Sequence, residues 1–215
     1  TGTDENATKV LEAAQAAGKD PMAFVDETAK QFVEAWKFLN IEYDDFIRTT
    51  EPRHKACVQA DFKILYDAGH IFKGKYVGFY CVGCETYWTE TDIADAQEKA
   101  KKGAAAAGKD DKPAPGPRCP DCRRALKRVE EDSYFFRLSA FQERLLRLFK
   151  ERPEFLQPAH RANEILRFVE SGLKDLSVSR TKVAWGVRVP FDPDHTVYVW
   201  FDALLNYVAA AGWRP

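Results

Sequence analysis

The chain has 215 residues, 45% of them hydrophobic and 13% aromatic, with 32 Lys and Arg against 33 Asp and Glu and a net charge of -1. This apolar content builds a real core and excludes wholesale disorder, and the balanced charge excludes a polybasic nucleic-acid coat while leaving room for a local basic patch. No apolar run approaches the roughly 20 residues that a membrane helix needs, so a soluble chain without a membrane partner is expected.

Thr1-Gly2-Thr3-Asp4-Glu5 opens the chain without an initiator Met, and Trp213-Arg214-Pro215 closes it just after a helical apolar pattern. It therefore reads as an internal piece of something longer. A short helix is expected around residues 7–17, ending at Gly18. Asp20-Pro21 then supplies an N-cap and a Pro at the first helical position. Val25, Ala29, Phe32, Trp36 and Leu39 follow at helical steps as one apolar face. A third helix starts at Thr50-Glu51-Pro52, turns Val58, Phe62 and Leu65 inward, and stops before Gly69.

At His70 the texture changes. Residues 71–80 are β-branched, aromatic and glycine-punctuated, which predicts a strand. Residues 94–117 form a low-complexity insertion, rich in alanine and lysine and closed by Pro113-Ala114-Pro115-Gly116-Pro117. Its alanine-rich part is expected to be helical and its proline part extended. Ser133 to Phe136 predicts another strand. A helix carrying Phe141, Leu145, Leu148 and Phe149 comes next, and then one over 158–170 with Ile165, Leu166 and Val169 inward. Leu176 to Ser179 and Thr196 to Trp200 predict strands, the second leading into a helix from about Asp202 to Ala211. Strand-then-helix order at both ends implies an α/β fold with a β insertion between.

Four of the five cysteines form Cys-x-x-Cys pairs, Cys81/Cys84 and Cys119/Cys122, leaving Cys57 alone. Thiolates on two such turns supply the two edges of a tetrahedron, which suits a structural Zn²⁺ closed by four sulfurs. Two redox disulfides are the other reading, and spacing alone leaves iron open. Around the second pair, Arg118, Arg123, Arg124, Lys127 and Arg128 face only Asp121 in sequence. That is either a solvated face or a contact for a nucleic-acid backbone.

Gly2-Thr3-Asp4-Glu5, Tyr43 to Thr50, the two cysteine pairs, Asn163-Glu164 through Glu170 to Arg180, Trp185-Gly186-Val187 and Val199-Trp200-Phe201-Asp202-Ala203-Leu204-Leu205-Asn206-Tyr207 together resemble one family, the class I methionyl-tRNA synthetases. The resemblance covers the chain except 94–117. It implies a partial Rossmann-like catalytic domain with an inserted zinc-knuckle connective module. Residues 1–70 would belong to the first catalytic half, 71–185 to the connective insertion, and 186–215 to the start of the second half with the methionine-pocket helix.

The implied activity is that of a methionine–tRNA ligase, which activates methionine with Mg²⁺-ATP and passes it to tRNA(Met) in the cytoplasm. Glu5 would hold the substrate ammonium, Trp200, Ala203 and Tyr207 would wall the methionine side chain, and Arg180 would act near ATP or the adenylate. Without the resemblance, Trp200 and Tyr207 read as core packing at a strand–helix junction. Two other functions stand beside the ligase: a non-catalytic zinc module that binds RNA or protein, and a sister class I synthetase.

The chain also departs from the family. Asn6-Ala7 stands where His-Gly is usual. None of His54, His70, His160 and His195 lies in a His-x-Gly-His pattern, and with Met22 the only Met no Lys-Met-Ser-Lys-Ser loop exists. The anticodon-binding helical domain is missing too. The chain by itself is therefore expected not to catalyse the reaction.

Overall fold

The Asp20 side chain accepts from the backbone N–H groups of Met22 and Ala23, at 2.9 and 3.1 Å. With Pro21 in the first turn this fixes the start of the longest helix, α2 (Pro21–Phe38), after α1 (Thr8–Ala16). The computed structural model describes residues 1–103, 116–181 and 183–213. Val25 and Ala29 of α2 are buried as expected, whereas Phe32 and Leu39 remain exposed and Trp36 is half-buried. The apolar stripe is thus covered only along its first half.

The two helices connect β1 (Gly2–Thr3) to β2 (Ile47–Arg48), and the strands pair in parallel, Gly2 against Ile47 and Thr3 against Arg48. This small βαβ-like unit requires glycine at position 2. A Cβ there would lie 2.0 Å from the Ile47 carbonyl oxygen. The chain continues into α3 (Pro52–Asp67), which buries Val58 and Phe62.

β3 (Ile71–Cys81) then forms a long antiparallel ribbon with β5 (Lys127–Phe136), in register from Ile71–Phe136 to Tyr80–Lys127. The strand expected only at 133–136 therefore begins much earlier. Its first half is highly charged and carries little apolar alternation, and β3 supplies the template that holds it. β4 (Thr86–Trp88) and β6 (Leu176–Ser177) complete a four-stranded sheet in the order β4-β3-β5-β6. α4 (Glu90–Gly103) takes up the start of the low-complexity segment. The alanine- and proline-rich readings fall on 104–115, which lie outside the described residues.

Leu176 to Ser179, expected as one strand, is shared between two sheets. β6 pairs with β5, while β7 (Ser179–Arg180) joins β9 (Asp192–Val197) and β8 (Arg188–Val189) in the order β7-β9-β8. Val178 stitches the two together: its N–H donates to Tyr134 O at 2.7 Å and its carbonyl accepts from Tyr198 N at 2.9 Å. The main core lies beneath this junction, where Val58, Phe62, Ile71, Tyr134, Val178, Val187, Val189 and Val197 pack together.

α5 (Gln142–Glu151) and α6 (Ala159–Glu170) bury Phe149, Leu156, Val169 and Leu173 in a separate cluster. Ile165, expected inward, is exposed, because Leu166 and Val169 fill the α5 side of that helix. The last helix, α7 (Val199–Ala210), begins three residues before the expected position. Val199 and Trp200 read as strand by propensity, yet they form the first helical turn. Asp202 favours that turn electrostatically and is drawn into it by buried partners described below. Among the described residues, no helix is long and apolar enough to cross a membrane.

Candidate functional site

β3 delivers Cys81 to one turn, and a second turn, closed by the Arg118–Ala125 bridge, presents Cys119 and Cys122. Glu85 and Arg123, each one residue beyond a cysteine pair, adopt positive φ of 52° and 61°, which bends both turns around a common centre. The four sulfurs lie within 4.8 Å of one another. Cys81 Sγ is 3.5 Å from Cys122 Sγ, and Cys119 Sγ is 3.9 Å from Cys84 Sγ. Tetrahedral coordination at a metal–sulfur distance near 2.3 Å puts sulfurs about 3.8 Å apart, so the quartet fits such an ion. A disulfide needs about 2.05 Å, and all five cysteines are free thiols. The Arg124 backbone N–H draws the Cys122 thiol down to about 7, while Cys122 pushes Cys84 up and burial pushes Cys81 up, so the negative charge in the quartet gathers on Cys122. The quartet is therefore placed to hold a metal ion, and none of its sulfurs is close enough to another for a disulfide.

The basic residues near the second turn are partly consumed in building it. Arg118 donates to the Arg123 carbonyl at 3.2 Å, and Lys127 pairs with Glu12 at 3.8 Å. The Arg124 guanidinium lies over Gly83, so close that a Cβ on that glycine would sit 1.9 Å from Nη1. Lys127 meets an acidic partner, whereas the backbone contact of Arg118 and the packing of Arg124 on Gly83 fix where those charges sit and do not cancel them.

Glu5 follows β1 and turns inward, 4% exposed. Its carboxylate accepts from Arg48 Nε at 2.7 Å, from Thr3 Oγ1 at 2.6 Å and from the Thr50 hydroxyl. Arg48 is held firmly charged by Glu5, against the cost of its burial, with Asp26 assisting at 2.7 Å. The Glu5 backbone is fixed as well, by Thr49 Oγ1 and by Trp185 Nε1. The charge expected to meet a substrate ammonium is neutralised inside the fold.

Its neighbour Asp4 points elsewhere. The Asp4 side chain keeps access to solvent, yet loss of hydration, and then the charges of Asp202 and Glu85, lift its pKa to about 6. Asn6 leads back inward. Its Nδ2 donates to Asp202 Oδ2 at 2.6 Å and to the Thr49 carbonyl at 3.1 Å. Asp202 Oδ1 meets His54 Nε2 at 2.5 Å, with both side chains fully buried. Asn6, which departs from the family's usual His, thus takes a defined place linking the β1 end to α7, while His54 ties in α3.

On α7, Trp200, Ala203 and Tyr207 share one face at helical spacing. Trp200 is 53% exposed, Tyr207 77% exposed and Ala203 half-buried. They are not core residues, so the packing alternative does not hold for them. Trp200 and Leu204 also wall an apolar groove of about 410 Å³ closed on its far side by Phe136, Leu176 and Val178. The Trp200 indole N–H donates to the Glu85 carbonyl at 3.1 Å. Arg180 is buried, its guanidinium 4.2, 5.2 and 4.4 Å from the ring centres of Tyr80, Tyr87 and Tyr198. One polar contact reaches Thr8 Oγ1 at 3.1 Å. The tyrosine cage therefore holds the cation that sequence reading assigned to nucleotide chemistry.

The Asn6–Asp202–His54 network, Arg48 and the cage were not legible beforehand. Only Asp202 carried a local signal, an acidic residue directly after Trp200-Phe201 near a helix start.

The sequence matches the family of tRNA synthetases class I (M) over residues 1–214. The methionine–tRNA ligase of Thermotoga maritima is 46% identical over 213 residues, covering 99% of this chain and 31% of that protein. The Helicobacter pylori methionine–tRNA ligase is 43% identical over 216 residues, again 99% of this chain and 31% of the relative. The crystal structure of Mycobacterium tuberculosis methionyl-tRNA synthetase bound by methionyl-adenylate superposes with a TM-score of 0.84 at 37% identity, covering 99% of this chain and 39% of that one. The chain spans about a third of the length of the curated relatives it matches.

Proposed function

The chain belongs to the tRNA synthetases class I (M), and from that membership we propose that it supplies the amino-acid pocket and the metal module of a methionine–tRNA ligase. The observation that supports this most is the open Trp200–Ala203–Tyr207 face of α7, whose first-turn Asp202, together with Glu85, lies close enough to the Asp4 carboxyl to raise its pKa. Aromatic walls suit a thioether, worth about 0.3–1.5 kcal/mol per sulfur–aromatic contact. A carboxyl crowded by two other acids gains from an ammonium more than an already neutralised one does, so Asp4 rather than Glu5 is the residue that meets the substrate ammonium. Glu5 and Arg48 then hold the Asp4 loop in place.

In the reaction, the methionine carboxylate attacks the α-phosphorus of Mg²⁺-ATP and expels pyrophosphate. The 3′-terminal ribose hydroxyl of tRNA(Met) then attacks the acyl carbonyl and releases AMP. Residues 1–70 and 186–215 bring the two halves of the catalytic domain, and 71–185 the connective module. Cys81, Cys84, Cys119 and Cys122 would hold Zn²⁺, which would supply a structural crosslink and leave no ligand position for catalysis. Arg180 acts through its cage as a strut between β7 and the start of α7. Four reduced thiols accord with the cytoplasm.

Thermal unfolding tests the specificity. Methionine at a hundredfold excess over Kd is expected to stabilise by about 2.7 kcal/mol and raise Tm measurably. Leucine, isoleucine and valine at the same concentration are expected to raise it much less. A larger shift with leucine, isoleucine or valine than with methionine would assign the chain to a sister synthetase, and no methionine shift would overturn the proposal.

The Asp4 carboxyl also predicts a pH dependence. Its folded pKa lies above its unfolded value, so in the free protein its contribution to stability is present at low pH and is lost as pH rises through about 6. An ammonium needs the ionised form, so methionine affinity runs the opposite way. It is expected to weaken about tenfold from pH 7 to pH 5, and Asp4→Asn is expected to flatten the profile. Calorimetric titration across that range checks both statements, and a native profile flat in pH would exclude Asp4 as the ammonium partner.

A further inference from the structure

Glu85 is the residue after the first cysteine pair, 5% exposed and in the left-handed backbone region at φ 52°. That conformation is uncommon outside glycine and asparagine, and here it turns the Glu85 carbonyl away from β4 toward α7. Both acceptor positions of that carbonyl are used: one by the Tyr198 hydroxyl and the other by the Trp200 indole N–H at 3.1 Å. The side chain reaches in a second direction. α1 has no side-chain cap from its own N-cap residue, Ala7, and Glu85 Oε1 accepts from the Lys9 backbone N–H at 3.2 Å. One buried residue thus touches the starts of both α1 and α7, and it is covalently joined to Cys84.

We propose that Glu85 is a positioning residue through which the four-cysteine centre sets the orientation of Trp200. The metal closes the knuckle, the closed knuckle holds Glu85 left-handed, and the carbonyl so directed fixes the indole ring. The inference that this tunes amino-acid affinity rests on the methionine-pocket reading above. The coupling of metal to Trp200 does not.

The test follows the Trp200 indole N–H by NMR, identified by its loss in Trp200→Phe, alongside zinc content and methionine titration. In the native chain, removing zinc with a chelator is expected to displace this resonance, and restoring zinc to return it. Glu85→Asn tolerates the left-handed backbone but loses the carboxylate that caps Lys9, and is expected to keep the native Trp200 resonance and its response to zinc. Glu85→Val disfavours it, and is expected to retain one zinc per chain while its Trp200 resonance stays displaced and its methionine Kd rises about tenfold.

A Trp200 resonance indifferent to zinc in the native chain overturns the proposal, whatever the stability of the variants. So does a folded, zinc-loaded Glu85→Val chain with the native resonance. A resonance that follows zinc in a chain that never binds methionine sustains the coupling and overturns only the pocket reading.

Discussion

Replacing Asp202 by alanine is expected to destabilise the protein by about 3–5 kcal/mol, because it strips one partner from a buried polar cluster and leaves the others dry. His54 Nε2 and Asn6 Nδ2 both lose their Asp202 acceptors, and among the described residues His54 Nδ1 already has no partner. At this chain length such a loss corresponds to a fall in Tm of about 10 °C. The effect should be cooperative across the structure, since the cluster joins α3, the end of β1 and α7. Asp202→Asn keeps the shape and one carbonyl acceptor, and should cost less. A thermal melt of Asp202→Ala within about a degree of native would show that the network contributes little.

Cys81→Ser is expected to abolish zinc binding and melt the knuckle, removing a contribution on the order of 10 kcal/mol in apparent binding free energy. Cys57→Ser should leave zinc stoichiometry at its native value. Cys57 lies on α3, with burial and then Asp61 pushing its thiol up to about 11, which suits an inert packed thiol. Metal analysis of the two variants side by side decides the assignment, and equal zinc loss from both would refute the four-ligand set. Because Glu85 adjoins Cys84, Cys81→Ser should also loosen the starts of α1 and α7, visible as faster amide exchange at Lys9 and near Trp200.

Local signals in the sequence carried the reading where a structure is locally determined. Asp20-Pro21, Glu51-Pro52 and Gly69 mark helix ends by backbone chemistry alone: α2 and α3 begin at the first two, and α3 stops just before the third. The two cysteine pairs were legible because a metal tetrahedron imposes a spacing on the chain. Features that depend on distant partners were hidden. The N-terminal half of β5 is charged and lacks a strand pattern of its own, and it exists because β3 lies beside it. Val199-Trp200 carries strand propensity, yet burial of Asp202 against residues far away in sequence starts the helix early.

The same reasoning explains the carboxylates. Asp4 and Glu5 are adjacent and chemically alike, and no periodicity tells which faces Arg48 and which stays open. Asn6 and Asp202 stand 196 positions apart, and His54 and Asp202 stand 148 apart, so their meeting is a property of the fold alone. Arg180 is basic in sequence, but its neighbours Tyr80, Tyr87 and Tyr198 come from three separate elements. The chemistry of a residue was visible in each case; its partners were not.

The central claim is that methionine lies on the Trp200–Tyr207 face with its ammonium at Asp4, and a crystal structure of the zinc-loaded protein grown with methionine tests it most directly. The expected result is an ammonium about 2.7–2.9 Å from an Asp4 carboxylate oxygen, with the thioether against the rings of Trp200 and Tyr207. Methionine lodged instead in the groove that Asp4 and Glu5 share with Phe32 and Trp36, away from Trp200 and Tyr207, or drawing Glu5 away from Arg48, would contradict it.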